Sequence, residues 1–451
     1  MFLFEVVFIL YIMKKNVFGK GLSLWLLSGC MGFFAACSDD EGFVLTQEDV
    51  QIEVPEGGFV TNVNQLLRIT PQYPVGEALA FEWRLDGQVI ATTPQLEYMF
   101  EVGGDYHLSL KVSGQDQSFV YEYPLEVVFK PEVVDTPEGA TPYVTKVLDY
   151  MPAVGQFTNK LPAYVEGDTQ EDMNQKVLKA IGHNQKGMIT LGGYGGYVVV
   201  GFDHTIRNVT GKRDFRVLGN AFYANANPDP NAPEGGSCEP GIIRVAYDAN
   251  KNGMPDEHEW YEIAGSSHVN PAQEPWYEKI KQAGFDVNLY RDYEITYHRP
   301  AKEPASKEEW DTYIRWEDNQ GHDGYKVKNQ FHQQPYYPLW APGDKLTFRG
   351  ICLPQNAVDE SGQGRYFVLY KFLYGYADNE VNDKADAAID ISWAVNAKGQ
   401  YVDLPGVDFI QVYTGVNQEN GWLGECSTEI TGVEDLHLLK VDMDTRPVEP
   451  M

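Results

Sequence analysis

Short apolar runs, each bounded by glycine or turn residues, dominate the chain after residue 187 and limit its possible folds more than any other feature. They predict strands, which we place at residues 188–191, 197–202, 215–218, 241–247, 293–297, 345–349, 366–372 and 409–413. One stretch of helical spacing, residues 168–180, precedes them and ends near Gly182. Because helices do not alternate with these strands, we expect a mainly β fold, a large jelly-roll-like β-sandwich with insertions, and not a parallel α/β sheet.

Residues 45–130 form a separate pattern of short alternating strands. Ala80–Leu85 alternates and meets the hairpin turn Asp86-Gly87, and residues 106–112 are apolar at every second position. The segments F-E-W-R-L-D-G and G-G-D-Y-H-L-S-L-K-V resemble those of PKD-like domains, which are immunoglobulin-type β-sandwiches. The resemblance implies that Trp83 is a core residue and that this domain is a spacer for the part that follows.

Residues 1–37 predict a bacterial lipoprotein signal peptide, because three lysines within residues 14–20 are followed by an apolar segment. Two cysteines end lipobox-like sequences, L-S-G-C at Cys30 and F-A-A-C at Cys37. Cys37 is favoured because S-D-D-E follows it, which resembles the acidic export signal on surface lipoproteins of the Bacteroidetes, whereas Cys30 would leave an apolar terminus. Lipidation at Cys37 would anchor the acidic tether, residues 38–44, to the outer membrane at the cell surface.

Charge and cysteine content narrow the possible partners. The chain has 35 basic against 65 acidic side chains, a formal net charge of −30, which argues against nucleic acid because phosphate binding needs clustered Lys and Arg. Residues 131–142 contain three prolines and predict a semi-rigid linker before the large domain at residues 143–445. Cys238, Cys352 and Cys426 lack the paired spacing of a zinc site, and the sequence leaves open whether two of them form a disulfide.

A loop at residues 248–259 predicts a calcium site. Calcium loops place oxygen ligands at positions one, three, five, seven, nine and twelve, with glycine at six for the turn. Those positions hold Asp248, Asn250, Asn252, Met254, Asp256 and Glu259, with Gly253 at the turn. The flanking segments predict strands and not the helices of an EF-hand, so we expect structural calcium that pins a long β-loop. A metal-free polar hairpin turn is the alternative.

An insertion between residues 310 and 340 is rich in aromatic side chains. Two interpretations remain open: the rings pack as a local core, or they offer flat surfaces to a sugar or a planar cofactor. On the second interpretation, the ligand-binding residues are Trp310, Trp316, Tyr325, Tyr336, Tyr337 and Trp340. The chain has no nucleophile elbow, zincin or P-loop motif, so no catalytic residue is assigned.

Two further groups of acidic residues stand out in the sequence, and neither has a predicted ligand. An Asp-Phe pair that opens an apolar strand segment occurs at Asp214 and at Asp408, and each is followed about 20 residues later by a glutamate, Glu239 and Glu429. Equivalent strands in a pseudo-symmetric sandwich would explain the repetition. Residues 378–390 are rich in Asp and Asn without fixed spacing, which favours a solvated loop over a second metal site.

A resemblance to a known family rests on several motifs. They include G-G-Y-G-G-Y-V-V-V-G-F-D-H from Gly192, E-P-G at Glu239, D-I-S-W-A-V from Asp390 and G-W-L-G-E from Gly421. These resemble motifs of Bacteroidetes cell-surface lipoproteins with an N-terminal PKD-like domain, and related groups accompany TonB-dependent uptake of glycans or corrinoids. The resemblance implies a non-catalytic surface lipoprotein that binds such a nutrient for a TonB-dependent outer-membrane transporter. A structural or adhesive surface protein, and a secreted hydrolase such as a glycoside hydrolase, are the alternatives.

Overall fold

The computed structural model describes residues 43–55, 57–63, 66–100, 103–128 and 135–446. The signal peptide, both lipidation candidates, most of the acidic tether and the first part of the proline-rich linker lie outside these residues. Of the helices that are described, none combines the length and the apolar character needed to span a membrane.

The first described part of the chain is a small β domain. Its strands are β1 (Phe59–Asn62), β2 (Leu66–Ile69), β3 (Ala80–Leu85), β4 (Gln88–Ala91), β5 (Leu96–Met99), β6 (Gly104–Ser113) and β7 (Ser118–Val128). Five strands form a sheet in the order β1-β7-β6-β3-β4, and β2 pairs with β5 in a second sheet. Both sheets contribute to one core, in which Trp83 is fully buried and its indole N–H donates to the carbonyl of Thr93 at 3.1 Å. The predicted core role of Trp83 is confirmed.

The larger part begins at β8 and carries most of the strands. They are β8 (Lys146–Met151), β9 (Ile189–Thr190), β10 (Tyr197–Arg207), β11 (Phe215–Leu218), β12 (Phe222–Tyr223), β13 (Gly235–Ser237), β14 (Gly241–Ala246), β15 (Trp260–Ile263), β16 (Tyr290–His298), β17 (Ile314–Asp318), β18 (Asp323–Lys326), β19 (Lys345–Cys352), β20 (Ala357–Asp359), β21 (Phe367–Tyr370), β22 (Ala388–Ile389), β23 (Ala394–Val395), β24 (Gly406–Thr414), β25 (Glu429–Ile430) and β26 (Gly432–Asp435). The α-helices are α1 (Gln170–Ile181), α2 (Ser266–Val269) and α3 (Tyr277–Gln282). Short 3-10 turns occupy Gln47–Asp49, Glu257–Glu259, Pro271–Gln273, Lys307–Thr312, Ala385–Ala387, Ile391–Trp393 and Gly421–Leu423.

A six-stranded sheet in the order β23-β15-β14-β24-β10-β8 is the centre of this larger part. Val200, Val245 and Ile410 project from one face into a core that also contains residues of α1 and of the three-stranded sheet β22-β11-β26. The opposite face carries polar side chains, among them Arg244 and Gln411, which are register partners on β14 and β24. The mainly β architecture, with several packed sheets, is confirmed.

Helix α1 lies where residues 168–180 predicted a helix. The hydroxyl of Thr169 accepts the backbone N–H of Asp172 at 3.2 Å, which satisfies a donor that the first turn leaves unpaired. Met173 and Val177 are fully buried, as expected for positions four residues apart on one helix face. The helix ends before Gly182, whose backbone N–H bonds to the carbonyl of the last turn.

Candidate functional site

A cleft of about 370 Å³ lies where five loops of the larger part meet. These loops follow β8, β11, β13, β18 and β24, so each is anchored on a strand. The lining combines rings, amides and carboxylates: Phe157, Phe331, His332 and Trp422, then Asn220 and Asn329, then Glu239, Glu425 and Glu429. The volume lies within the range of small-molecule sites, about 300–1,000 Å³.

Trp422 lies in a 3-10 turn between two glycines of positive φ, 58° at Gly421 and 91° at Gly424. A Cβ at Gly424 would lie 3.0 Å from the side-chain oxygen of Gln156, so this position also requires a glycine for space. The Gln156 amide donates to the carbonyl of Leu423 at 2.6 Å and ties the turn to the loop after β8. This support holds the indole of Trp422 at the surface, where the residue is 51% exposed.

Two further rings and a histidine line the same cleft. Phe331 is 63% exposed, and Phe157 packs edge-on against His332 with ring centroids 4.7 Å apart. Within the described residues, the buried Nδ1 of His332 has no hydrogen-bond partner, and burial lowers the pKa of this imidazole. A neutral imidazole in this position can exchange a hydrogen bond with a ligand hydroxyl.

Glu425 is buried in the wall of the cleft. Its Oε1 accepts the backbone N–H of Gln156 at 2.6 Å. Burial, and next the charge of Glu419, raise the pKa of Glu425 to about 8, although the Lys326 ammonium nearby acts in the opposite direction. The carboxyl group is therefore mostly protonated at neutral pH and can donate a hydrogen bond.

Three further carboxyl groups, those of Glu239, Asp378 and Glu429, meet in one cluster. Each offers an oxygen that lies within 4.8 Å of the others. Burial raises the pKa of all three, and the neighbouring charges raise those of Glu239 and Glu429 further. No Lys or Arg among the described residues forms an ion pair with them, so the cluster either shares protons or holds a cation. Hard carboxylate oxygens are the ligands that calcium prefers.

The expectation of a solvated loop at residues 378–390 holds only for its middle, residues 383–385, which are exposed, because both ends of the segment are buried. Asp378, Asn379 and Asp390 are at most 2% exposed. Their polar groups form hydrogen bonds inside the fold. The Asn379 side chain accepts the backbone N–H of Phe372 at 2.7 Å and donates to the carbonyl of the same residue at 2.8 Å. Buried backbone groups need such partners, which is why these polar residues lie inside the fold.

The repeated Asp-Phe pair does not mark equivalent strands. Phe215 begins β11 in the three-stranded sheet, whereas Phe409 lies inside β24 in the six-stranded sheet. The glutamates that follow the two copies, Glu239 and Glu429, nevertheless lie side by side in the carboxyl cluster.

The predicted calcium loop joins β14 to β15 and is closed by its own side chains. The Asp248 carboxylate accepts the backbone N–H groups of Asn252 at 3.0 Å and of Gly253 at 2.7 Å. The side-chain oxygen of Asn252 in turn accepts the N–H of Met254 at 2.7 Å. Gly253 has φ 80°, the left-handed conformation that the turn position requires. The flanks are strands, as the sequence predicted.

The acidic end of this loop gathers possible ligand atoms. Asp256, His258 and Glu259 each offer one atom within 4.8 Å of the other two, and His258 was not among the predicted ligands. Glu259 is 1% exposed and burial raises its pKa, so a bound cation would stabilise its charged form. The backbone carbonyl of Met254 and the side chain of Asn250 remain predicted ligands. Calcium as the bound metal is likewise still a prediction.

The aromatic insertion packs in large part as a local core. Tyr336 and Tyr337 are 1% and 2% exposed, so neither ring offers a face to a ligand, which corrects their place among the binding candidates. The Lys328 ammonium lies 5.1 Å from the Tyr336 ring centroid, and the Arg299 guanidinium lies 4.2 Å from that of Tyr337. Trp340 stacks with two tyrosines at centroid distances of 5.9 and 6.1 Å.

Three more of the predicted binding residues have accessible rings. Trp316 lines a separate cavity of about 400 Å³. Tyr325 is 42% exposed, and Trp310 is partly exposed with the Lys307 ammonium 5.7 Å from its ring centroid. None of these three belongs to the Trp422 cleft, and their role in ligand binding stays a prediction.

The three cysteines of the larger part are buried free thiols, so Cys238, Cys352 and Cys426 form no disulfide in the described structure. Burial is the largest cause that raises the pKa of each thiol, to about 12 for Cys352. These side chains therefore behave as small apolar residues.

No role was predicted for Trp422, Phe331 or Glu425, although all three lie in the cleft. The sequence signal that could have indicated an exposed ring is G-W-L-G-E, in which a tryptophan lies between two glycines in a turn. Such a tryptophan has few neighbours along the chain to cover it, and this alone favours exposure.

Comparisons with known proteins define the first domain. A PKD-like domain model matches residues 49–114, and the chain therefore contains a PKD-like domain in the part that β1 to β6 occupy. The match covers a minority of the chain. No curated protein matches the sequence.

Solved structures give only distant likenesses. A quinoprotein alcohol dehydrogenase-like protein from Bacteroides thetaiotaomicron is 15% identical over 23% of this chain and 23% of its own, with a TM-score of 0.15. A SusE-like protein is 8% identical over 86% and 97%, with a TM-score of 0.16. SGBP-B of a Bacteroides ovatus mixed-linkage glucan utilization locus, solved with a mixed-linkage heptasaccharide, is 10% identical over 82% and 100%, with a TM-score of 0.17. With TM-scores this low, none of the three bears on what this chain binds.

Proposed function

We propose that this protein captures carbohydrate in the Trp422 cleft and acts as a non-catalytic, lipid-anchored protein of the bacterial cell surface. The observation that carries the proposal is the presence of two strongly exposed rings, Trp422 and Phe331, in one cleft with amides and carboxyl groups. Flat apolar rings pack against the C–H faces of sugars, and the polar groups around them fix the orientation.

The polar lining favours a neutral glycan. Sugar hydroxyls both donate and accept hydrogen bonds, and the cleft offers both kinds of partner in the exposed Asn220 amide and the protonated carboxyl of Glu425. Glu239 and Glu429 line the same cleft and no Lys or Arg does, so an anionic ligand would find no positive charge to pair with. A corrinoid is the alternative ligand of this proposal.

The remaining parts of the proposal follow from the sequence. The lipid would be attached at Cys37, the PKD-like domain would act as a spacer, and the captured ligand would pass to a TonB-dependent outer-membrane transporter. Calcium at residues 248–259 would have a structural role, which the closed conformation of that loop supports.

The test is a thermal-shift panel on purified residues 38–451 with neutral oligosaccharides, acidic oligosaccharides and corrinoids. A ligand that binds only the folded state raises the Tm in a saturable manner, and we expect this from the neutral class. Trp422→Ala and Phe331→Ala should each weaken affinity about tenfold or more, a cost of about 1.4 kcal/mol or more. Phe222→Ala, which removes a 58% exposed ring that does not line the cleft, is the matched control.

Two outcomes would contradict the proposal. Full affinity in Trp422→Ala would place the ligand elsewhere, with Trp316 and its cavity as the next site to test. If no compound in the panel raises the Tm, the structural or adhesive alternative is favoured. That alternative predicts attachment to a polymer or a cell and no small soluble ligand.

Glycoside hydrolysis is a second candidate function, which the raised pKa of Glu425 favours. A general acid must stay protonated at working pH, and a carboxyl group of pKa about 8 does so. Glu425→Gln keeps the size of the side chain and the oxygen that accepts the Gln156 N–H. Product release by the wild type that is lost in this variant, with binding kept, would establish hydrolysis. No product from any bound glycan would exclude it.

A further inference from the structure

A larger cavity, of about 530 Å³, lies on the face of the six-stranded sheet that points away from its core. The register places Arg244 of β14 beside Glu262 of β15 and Gln411 of β24, and these three side chains belong to the lining. The start of β16, the middle of β19 and residues 395–399 complete it. The cavity shares no lining residue with the Trp422 cleft.

Arginine side chains give this cavity a positive lining in a chain of net charge −30. Arg244 donates to the side-chain oxygen of Gln411 at 2.9 Å and stacks over Trp260 at 5.4 Å. Arg291 donates to the backbone carbonyl of His268 at 2.7 Å. Across the described ranges, neither arginine has a carboxylate within ion-pair distance, so both guanidinium groups are oriented by neutral partners.

The third arginine, Arg349 on β19, pairs with Glu294 through its Nε alone. The lining also holds two carboxylates against its three arginines, Glu262 and Asp292, and of these Glu262 is already engaged by the protein. Its two oxygens contact His268 Nε2 at 2.9 Å and the Tyr413 hydroxyl at 3.1 Å. The lining therefore presents more unengaged guanidinium N–H groups than carboxylate oxygens to an occupant.

We propose that this cavity binds a small ligand that carries an oxyanion, a carboxylate, sulfate or phosphate group, through Arg244, Arg291 and Arg349. The planar guanidinium matches such groups with two parallel N–H donors, and orientation by neutral partners lowers the entropy cost of binding. Trp260 and Phe348 line the same cavity and offer apolar surface to the rest of the ligand. This site is independent of carbohydrate capture in the Trp422 cleft.

Isothermal titration calorimetry of the purified chain at fixed ionic strength tests the site. The probes are sodium sulfate, sodium phosphate and sodium glucuronate, with glucose as the uncharged match for the last. We expect saturable heat from at least one anion and none from glucose. The anion that binds most tightly among sulfate, phosphate and glucuronate identifies the preferred oxyanion. The same comparison distinguishes a free inorganic anion from a sugar acid as the ligand.

Variants assign the binding to the arginines. Arg244→Gln and Arg349→Gln should each weaken the anion about tenfold or more, and Arg349, with a side chain 74% exposed, can be replaced without loss of packing. Arg68→Gln, an exposed arginine in the PKD-like domain, should bind as the wild type does, and so should Trp422→Ala, which keeps this test separate from that of carbohydrate capture. Equal affinity in wild type, Arg244→Gln and Arg349→Gln, or no saturable heat from any of the three anions, would overturn the proposal.

Discussion

Glu425→Gln should make the stability of the larger part less sensitive to pH. Glu425 is 6% exposed, and burial together with the charge of Glu419 raises its pKa from the usual 4.5 to about 8. A carboxyl group whose pKa is higher in the folded than in the unfolded state contributes fully below pH 4.5, and the contribution is lost as the pH rises to about 8. The interval is about 3.5 pH units, so at about 1.4 kcal/mol per unit the loss is roughly 5 kcal/mol.

The assay compares the free energy of unfolding of wild type and variant by urea denaturation at pH values near the two ends of that interval. Glutamine has no proton to lose, and its oxygen can still accept the Gln156 N–H, so the variant avoids the penalty for a buried charge. The difference in stability between variant and wild type should therefore shift by several kcal/mol in favour of the variant on going to the higher pH. Glu166→Gln, at an exposed position, is the control and should show no such shift.

A stability difference that stays constant between the two pH values would refute the argument from burial. A shift of opposite sign, with the wild type gaining on the variant at the higher pH, would mean that Glu425 is ionised and compensated in the folded state. A metal ion in the neighbouring carboxyl cluster would be the first compensating charge to test, by repeating the measurement with a chelator.

Three further predictions concern the rest of the chain. Trp83→Ala removes a fully buried ring from the PKD-like domain and should cost roughly 3–5 kcal/mol, which calorimetry would detect as earlier melting of that domain; an unchanged thermogram would contradict the core assignment. Asp248→Ala combined with Glu259→Ala should abolish any rise of Tm with calcium, and a wild-type Tm that is equal with calcium and with chelator would remove the calcium site. The three buried cysteines should resist iodoacetamide in native residues 38–451 and take up three labels after unfolding, whereas a single label would reveal a disulfide.

Local sequence was sufficient for the elements with the clearest patterns, whereas β8, β17, β18 and the short helices α2 and α3 were not predicted. The strand predicted at residues 215–218 is β11, and the helix predicted at residues 168–180 is α1, shifted by one or two residues. Apolar periodicity, turn residues and the threonine cap are properties of neighbours along the chain, so they can be read without the fold. The same holds for the PKD-like domain, whose hairpin turn and alternating strands lie within one short segment.

The exposure of aromatic rings could not be read in this way. Tyr336 and Trp422 both lie outside strands in segments rich in polar residues, yet Tyr336 is 1% exposed and Trp422 is 51% exposed. The difference arises because the Lys328 side chain and its neighbours cover Tyr336, whereas the turn at Trp422 is supported from one side by Gln156. Which segment covers a ring depends on contacts between distant parts of the chain.

The sequence by itself determined a mainly β protein with an N-terminal PKD-like domain, an acidic loop of calcium-like spacing and the residue types of its clefts. Only the tertiary structure brought Glu239 and Glu429 together with Asp378, and it turned one face of the six-stranded sheet, with Arg244, away from the core. The physical reason is that hydrogen-bonded elements follow from local preferences, while a site depends on burial and on which loops meet.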